Sequence, residues 1–230
     1  VFATRDGATS VTEKMRILGN GNVGIGTASP DRKLHVNSGS TNIVATFEST
    51  DATAAISLQD NSTTNDSKVQ IRAIGDDFNI VAGGSQRVTV NSSGDVGIGT
   101  TSPSAKLHIK TSSTSNTNQL LLESTDAGAS SGPDLALYRN SASPADGDVL
   151  GALWFYGNNS APVQELYSGI LSIANDVTDG TEDSEIRFLN MVNGTLQTPM
   201  TIDGLNVGIG VTDPSRNLQV KGTANTAIAI

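Results

Sequence analysis

One phrase is written three times in this chain: Gly21-Asn-Val-Gly-Ile-Gly-Thr-Ala-Ser-Pro30, Gly94-Asp-Val-Gly-Ile-Gly-Thr-Thr-Ser-Pro103 and Leu205-Asn-Val-Gly-Ile-Gly-Val-Thr-Asp-Pro214. Each copy runs on into a short apolar strand: Leu34-His35-Val36, Leu107-His108-Ile109 or Leu218-Gln219-Val220. A recurring unit makes the chain an array of similar modules strung along one direction, built for length and shape rather than around one pocket. The sequence reads as a fibre segment.

Ahead of each copy stands a short alternating run, Met15-Arg16-Ile17, Val88-Thr89-Val90 or Met200-Thr201-Ile202, apolar at i and i+2. That is the pattern of a half-buried strand. A turn rich in Gly, Asn, Asp and Ser follows (18–22, 91–95, 203–206), so strand, turn and strand form a hairpin. The gap from Ile202 to Val207 is one residue shorter than that from Ile17 to Val23, which predicts a different turn in the third copy.

The Val-Gly-Ile-Gly strand sets Val23 and Ile25, Val96 and Ile98, or Val207 and Ile209 on one face. The glycines Gly24, Gly26, Gly97, Gly99, Gly208 and Gly210 mark close chain packing, because a bare glycine in a strand signals the near approach of another backbone. In an oligomeric fibre that backbone is expected to be a neighbouring chain. Ser29-Pro30, Ser102-Pro103 and Asp213-Pro214 each pair a good N-cap with the residue best suited to a first helical position, which predicts a one-turn helix at each. A dinucleotide-binding fingerprint is excluded: its third glycine is Ser29, Ser102 or Asp213 here, and a new strand follows where a long helix should.

The inserts between repeats differ in length but open alike, Phe47-Glu48-Ser49-Thr50-Asp51-Ala52 aligning with Leu122-Glu123-Ser124-Thr125-Asp126-Ala127. Short alternating strands are expected over 55–59, 69–73 and 78–81 in the first insert, and over 135–138, 150–156, 169–173 and 185–189 in the second. No run carries a 3.6-residue period over three turns, so the chain is expected to be all-β. Six of the nine aromatic residues lie in the second insert, and Trp154, Tyr156 and Tyr167 are the candidates for stacking on a glycan. The competing reading is that a larger module needs larger residues for its core.

Acidic residues cluster at Asp146 and Asp148, and at Asp176, Asp179, Glu182, Asp183 and Glu185. They lack the order of a calcium loop and fit solvated turns. His35 and His108 occupy equivalent places, where a threefold assembly would gather imidazoles round an axis, but the third repeat has Gln219, so no metal site is assigned. No nucleophile with a base is recognisable, and neither catalysis nor a cofactor is expected.

Composition bounds the class. With 36% hydrophobic and 4% aromatic residues, the chain is too poor in apolar mass for one thick core, and its period-2 patterns argue against disorder. It is therefore expected to bury thin apolar stripes against copies of itself, as an obligate oligomer. A net charge of −9 with scattered Lys and Arg excludes nucleic-acid binding. The absence of Cys excludes a disulfide scaffold, and no stretch is apolar for long enough to span a membrane as a helix.

The repeat Gly-Asn-Val-Gly-Ile-Gly-Thr-x-Ser-Pro-x-x-Lys-Leu-His-Val resembles the recurrent motif of bacteriophage tail fibre and tailspike shafts, many of which end in an endosialidase-type intramolecular chaperone. The stretch 143–160, Gly180-Thr-Glu and Met200-Thr-Ile-Asp203 are similar to modules of those fibres. The resemblance implies an intertwined homotrimeric β-prism or triple-β-helix-like shaft on a virion. Its partners would be its own copies, other tail fibre or baseplate proteins, and a bacterial surface glycan or protein receptor. On this reading residues 1–36 end one module, 37–109 and 110–220 are complete modules, 221–230 start another, and the chain is a mid-shaft excerpt. Rival readings are a carbohydrate-binding module, a polysaccharide depolymerase and a bacterial adhesin shaft.

Overall fold

The computed structural model describes residues 2–5, 11–112, 114, 118–129 and 132–222, in two units, 1–121 and 122–230. Residues 223–230, most of the segment expected to open a further module, lie outside the described residues. The first unit holds two sheets. One is β1 (Phe2–Arg5), β2 (Val11–Ile17), β3 (Val23–Ile25) and β4 (Leu34–Val36). The other is β5 (Thr53–Ser57), β6 (Val69–Ile74), β7 (Asp77–Ala82), β8 (Ser85–Val90), β9 (Val96–Ile98) and β10 (Leu107–Ile109). The second unit holds β11 (Asp148–Asn158), β12 (Gln164–Asp176), β13 (Asp183–Val192), β14 (Thr195–Asp203), β15 (Asn206–Ile209) and β16 (Leu218–Val220). Every strand pairs with its neighbour in sequence, so each sheet is an antiparallel meander. The final step departs from this: β3–β4, β9–β10 and β15–β16 are parallel.

The repeat therefore folds as hairpin plus parallel return. In the first two copies the hairpin closes through Gly21 N–H to Leu18 O and Gly94 N–H to Asn91 O, both at 2.9 Å. The third is a two-residue turn with Asp203 opposite Asn206 and Gly204 at φ +52°, the glycine-first arrangement of a type II′ turn, as the shorter gap predicts. The return is made by the segments 26–33, 99–106 and 210–217, shorter than the dozen or so residues a parallel connection usually takes. Each returning strand is anchored by two backbone bonds. Val23, Val96 and Val207 donate to Lys33, Lys106 and Asn217 at 2.9 Å, and Asn37, Lys110 and Lys221 donate to Ile25, Ile98 and Ile209 at 2.8–2.9 Å.

Two glycines make so short a return possible. Gly24, Gly97 and Gly208 lie under the crossing segment: a Cβ on Gly24 would stand 2.5 Å from Thr27 O and 3.3 Å from the Pro30 ring, and a Cβ on Gly97 or Gly208 would strike Thr100 O or Val211 O. Gly26, Gly99 and Gly210 turn the chain at φ +69° to +74°, where a Cβ would strike the carbonyls of Asn37, Lys110 and Lys221. The close backbone expected of a neighbouring chain is thus this chain's own.

Two further expectations are corrected. No helix occurs among the described residues, and Ser29-Pro30, Ser102-Pro103 and Asp213-Pro214 sit in bends. A helical turn would draw in the carbonyls that here lie against the glycines, and Pro30 and Pro214 are buried against the sheet instead. Residues 135–138 form no strand: the Arg139 guanidinium, not a backbone amide, takes the Val149 carbonyl at 3.1 Å, and Leu137 lies over Gly151 on the face of the sheet.

Gly97→Ala is expected to destabilise the fold by about 2 kcal/mol, because the added methyl meets backbone rather than a yielding side chain. Thermal denaturation monitored by circular dichroism checks this; an unchanged midpoint would contradict the packing.

Candidate functional site

Strand register aligns the repeat residues into rows that run across each sheet. One row of the middle sheet is Ile56, Ile71, Ile80, Val88, Ile98 and Ile109, one side chain from every strand. Its counterpart in the second unit is Leu153, Ile170, Phe188, Met200, Ile209 and Val220. The first sheet has Phe2, Met15, Ile25 and Val36. Because side chains alternate across a strand, the next row points the other way. It reads His108, Gly97, Thr89, Asn79, Arg72 and Ala55 in one sheet and Gln219, Gly208, Thr201, Arg187, Leu171 and Ala152 in the other.

The two faces are covered in the reverse of the usual order. On the polar side the crossing segment lies over the glycines and the side chains close over one another. Gln86 donates to Asn79 Oδ1 and, at 2.7 Å, to Thr89 Oγ1, while Arg72 donates to Gln86 Oε1 at 2.9 Å. Arg187 pairs with Glu185, and Arg16 pairs with Glu13 while donating to Ala28 O of the crossing segment at 2.8 Å. Asn79, Thr89, Glu185 and Thr201 are buried as a result. On the apolar side nothing comparable lies over the strands: Ile56, Val69, Ile71, Phe78, Ile80, Ile98 and Leu107 are 37% to 58% exposed. Apart from the prolines Pro30 and Pro214, the buried apolar side chains among the described residues are Val81, Ile173 and Ala174. A soluble chain seldom leaves a contiguous apolar face of this kind without a partner for it.

The candidate glycan aromatics do not form one platform. Trp154 lies over Gly169, where a Cβ would stand 2.5 Å from its ring, and Tyr167 lies against Gly157 at 3.2 Å. Each is an aromatic on one strand covering a glycine on its neighbour, a known way to repair the packing that glycine omits. Tyr167 walls a cleft of about 290 Å³ with Asn159, Glu165 and Met191, and neither Trp154 nor Tyr156 lines it.

The histidine position has a local role that the residue types alone did not reveal. His108 Nδ1 accepts the Ser104 N–H at 3.3 Å, and Gln219 Oε1 accepts the Ser215 N–H at 2.9 Å, each pinning the start of the final strand to the crossing segment. His35 Nδ1 stands 3.0 Å from Asp31, the corresponding residue of the first repeat. An amide oxygen and an imidazole nitrogen present an acceptor at similar reach, which explains why the third copy tolerates Gln219. Among the described residues no three His, Asp or Glu side chains converge as metal ligands would.

The acidic residues cap turns. Asp176 accepts from Thr178 N–H at 2.8 Å and is held below the usual carboxylate range by its bonds to Thr178 and then to Thr181. Asp146 accepts Val177 N–H at 3.0 Å, Glu182 accepts Gly180 N–H at 3.2 Å, and Asp148 pairs with Arg139 at 2.9 Å. In the connection from β5 to β6, Asp60 takes the Thr63 and Ser62 hydroxyls and both their amides, and is pushed down to about 2. No protein-family model matches the chain, and a search of curated proteins returns no match.

His108→Gln should leave the melting midpoint unchanged, whereas His108→Ala should cost about 1 kcal/mol by stranding the Ser104 amide; equal losses would deny the acceptor role. Asp60 favours the folded turn above its ordinary value of 3.8, and that contribution is lost as pH falls towards about 2. The Thr63 amide resonance should therefore shift between about pH 4 and 2, and the transition should vanish in Asp60→Asn.

Proposed function

We propose that this chain is a structural shaft segment of a bacteriophage tail fibre, a homotrimer that carries host receptor recognition to the bacterial surface. The apolar row that crosses every strand of each sheet, exposed or half-exposed along its length, supports this reading. A single layer cannot bury that row, and copies of the chain would supply the second layer it needs. Three copies turning these faces to a common axis remove them from water and leave the closed polar face, with its crossing segments, outward.

The surface arithmetic agrees. A large apolar side chain left about half exposed contributes on the order of 80 Å², so the seven residues named in the middle sheet offer roughly 500 Å². A stable interface takes about 800 Å² from each partner, which the matching row of the second unit supplies together with the first. The resemblance of the repeat to tail fibre shafts directs the choice among oligomeric fibres. Virion location, fibre and baseplate partners, and a glycan or protein receptor on the host follow from that resemblance and belong to the proposal. The segment's own task is mechanical: to set distance and resist proteolysis, with no chemistry asked of its side chains.

Light scattering on the purified chain should give three times 23.7 kDa, with migration as an oligomer in SDS before boiling. Ile98→Asp should weaken assembly about a hundredfold, on the order of 3 kcal/mol, by placing a charge in the row. A folded, stable monomer of the unaltered chain would refute the proposal.

A further inference from the structure

The dipeptide Asn-Gly occurs twice in the chain, at Asn20-Gly21 between β2 and β3 and at Asn193-Gly194 between β13 and β14, and both copies are exposed. In this dipeptide the side-chain amide and the next peptide nitrogen can react with each other. The Gly nitrogen attacks the Asn Cγ, the N–Cγ bond forms, the Cγ–Nδ2 bond breaks, and ammonia leaves with the proton of the Gly N–H. Glycine favours the step because no Cβ obstructs the approach and its backbone rotates freely. Water then opens the cyclic imide at either carbonyl, giving Asp from one opening and isoaspartate from the other. Water is the one co-reactant in this balance.

Sequence and exposure are alike at the two turns, and bonding is not. At the β2–β3 turn both reacting groups are engaged: Gly21 N–H donates to Leu18 O at 2.9 Å, and Asn20 Oδ1 accepts the Asn22 N–H at 3.0 Å. Lys33 Nζ also donates to Asn20 O at 2.7 Å, which holds the peptide plane that would have to rotate for attack. At the β13–β14 turn neither group is held. Asn193 at φ +48° and Gly194 at φ +74° make a two-residue type I′ turn between paired Val192 and Thr195. The turn closes through that pair, so the Gly194 nitrogen stands outside the ladder, and neither Asn193 nor Gly194 bonds to any described residue. A Cβ placed on Gly194 would meet nothing within 4 Å.

We propose that Asn193-Gly194 is a site of spontaneous modification, where water converts Asn193 to Asp or isoaspartate, and that the same dipeptide at Asn20-Gly21 is protected by the bonds of its turn. Either product sets a carboxylate next to Gly194, at the edge of the cleft walled by Tyr167 and Glu165, and so adds negative charge beside Glu165. The type I′ turn accepts Asp as readily as Asn. Isoaspartate lengthens the backbone by one carbon inside a two-residue turn and opens the pairing of Val192 with Thr195. The aliphatic row, carried on these strands by Phe188 and Met200, lies away from the tip and is left intact, so the site is independent of how the chain assembles.

The intact chain is incubated in mildly alkaline buffer, a parallel sample is held in urea, and both are digested at intervals with an acid protease. The peptides carrying 20–21 and 193–194 are followed by mass spectrometry, with electron-transfer fragmentation to tell isoaspartate from Asp. In the folded chain Asn193 should convert about thirtyfold faster than Asn20, the factor set by opening two ordinary hydrogen bonds. In urea the two rates should be comparable. Equal or reversed rates in the folded chain, an Asn193 that stays unconverted there, or a difference that persists undiminished in urea would overturn the assignment.

Discussion

Everything in this structure turns on sheets that are one layer thick and closed on the wrong side. The polar row is sealed by Gln86, Arg72, Asn79 and Thr89, or by Arg187 and Glu185, and by the crossing segment, while the row of branched aliphatic residues is left to solvent. Backbone pairing between sequence neighbours is local and forms readily. It does not by itself make a stable body, because a sheet needs an apolar surface to pack on. The hydrogen-bonded framework is complete within one chain and the hydrophobic part is not.

The crossing segment decides which face stays bare. A parallel return of so few residues has to hug the sheet, and it can do so only over a strand without side chains, which is the reason for glycine at 24, 97 and 208. With Val23 and Ile25 flanking Gly24 in period 2, the segment necessarily lies on the side away from the aliphatic row. Lys33 and Lys106 then tie the segment's end back to the hairpin, donating to Asn20 O at 2.7 Å and to Ser93 O at 3.1 Å. Lys106 also pairs with Asp95, whose carboxyl is held below its ordinary value by that bond first and by Asn91 second. One short motif thereby makes an edge strand, covers one face and leaves the other open.

The hairpins, their turns and the alternation of Val23 with Ile25 were legible in the sequence, because period 2 and turn chemistry are local. The glycines were legible as sites of close approach, but the identity of the approaching backbone was not, since nothing in Gly-x-Gly distinguishes a crossing segment of the same chain from a neighbour. Ser-Pro carries a helix-start signal, and tertiary packing of Pro30 overrode it. Leu135, Leu137 and Tyr138 alternate as a strand does, yet a strand also needs a free edge, and Arg139 and Leu137 hold the segment against β11 in another way. The rows were beyond reach from sequence alone: each sheet contributes one residue per strand, and only register brings Ile56 beside Ile71 and Ile80.

Register also explains how two modules of unequal size share one plan. Strands β11, β12 and β13 span 11, 13 and 10 residues where β5, β6 and β7 span 5, 6 and 6, yet six strands and one unbroken apolar row occur in both. The added length extends these strands on both sides of the row, and on β11 and β12 Trp154 covers Gly169 and Tyr167 covers Gly157. Two of the aromatic residues of the second module thus fill space that glycines of its longer strands leave open. A chain built this way can vary the far ends of its strands freely, provided that each repeat returns the backbone to the same row. The constraint common to the modules falls on that row, and the repeat supplies its last two strands in each.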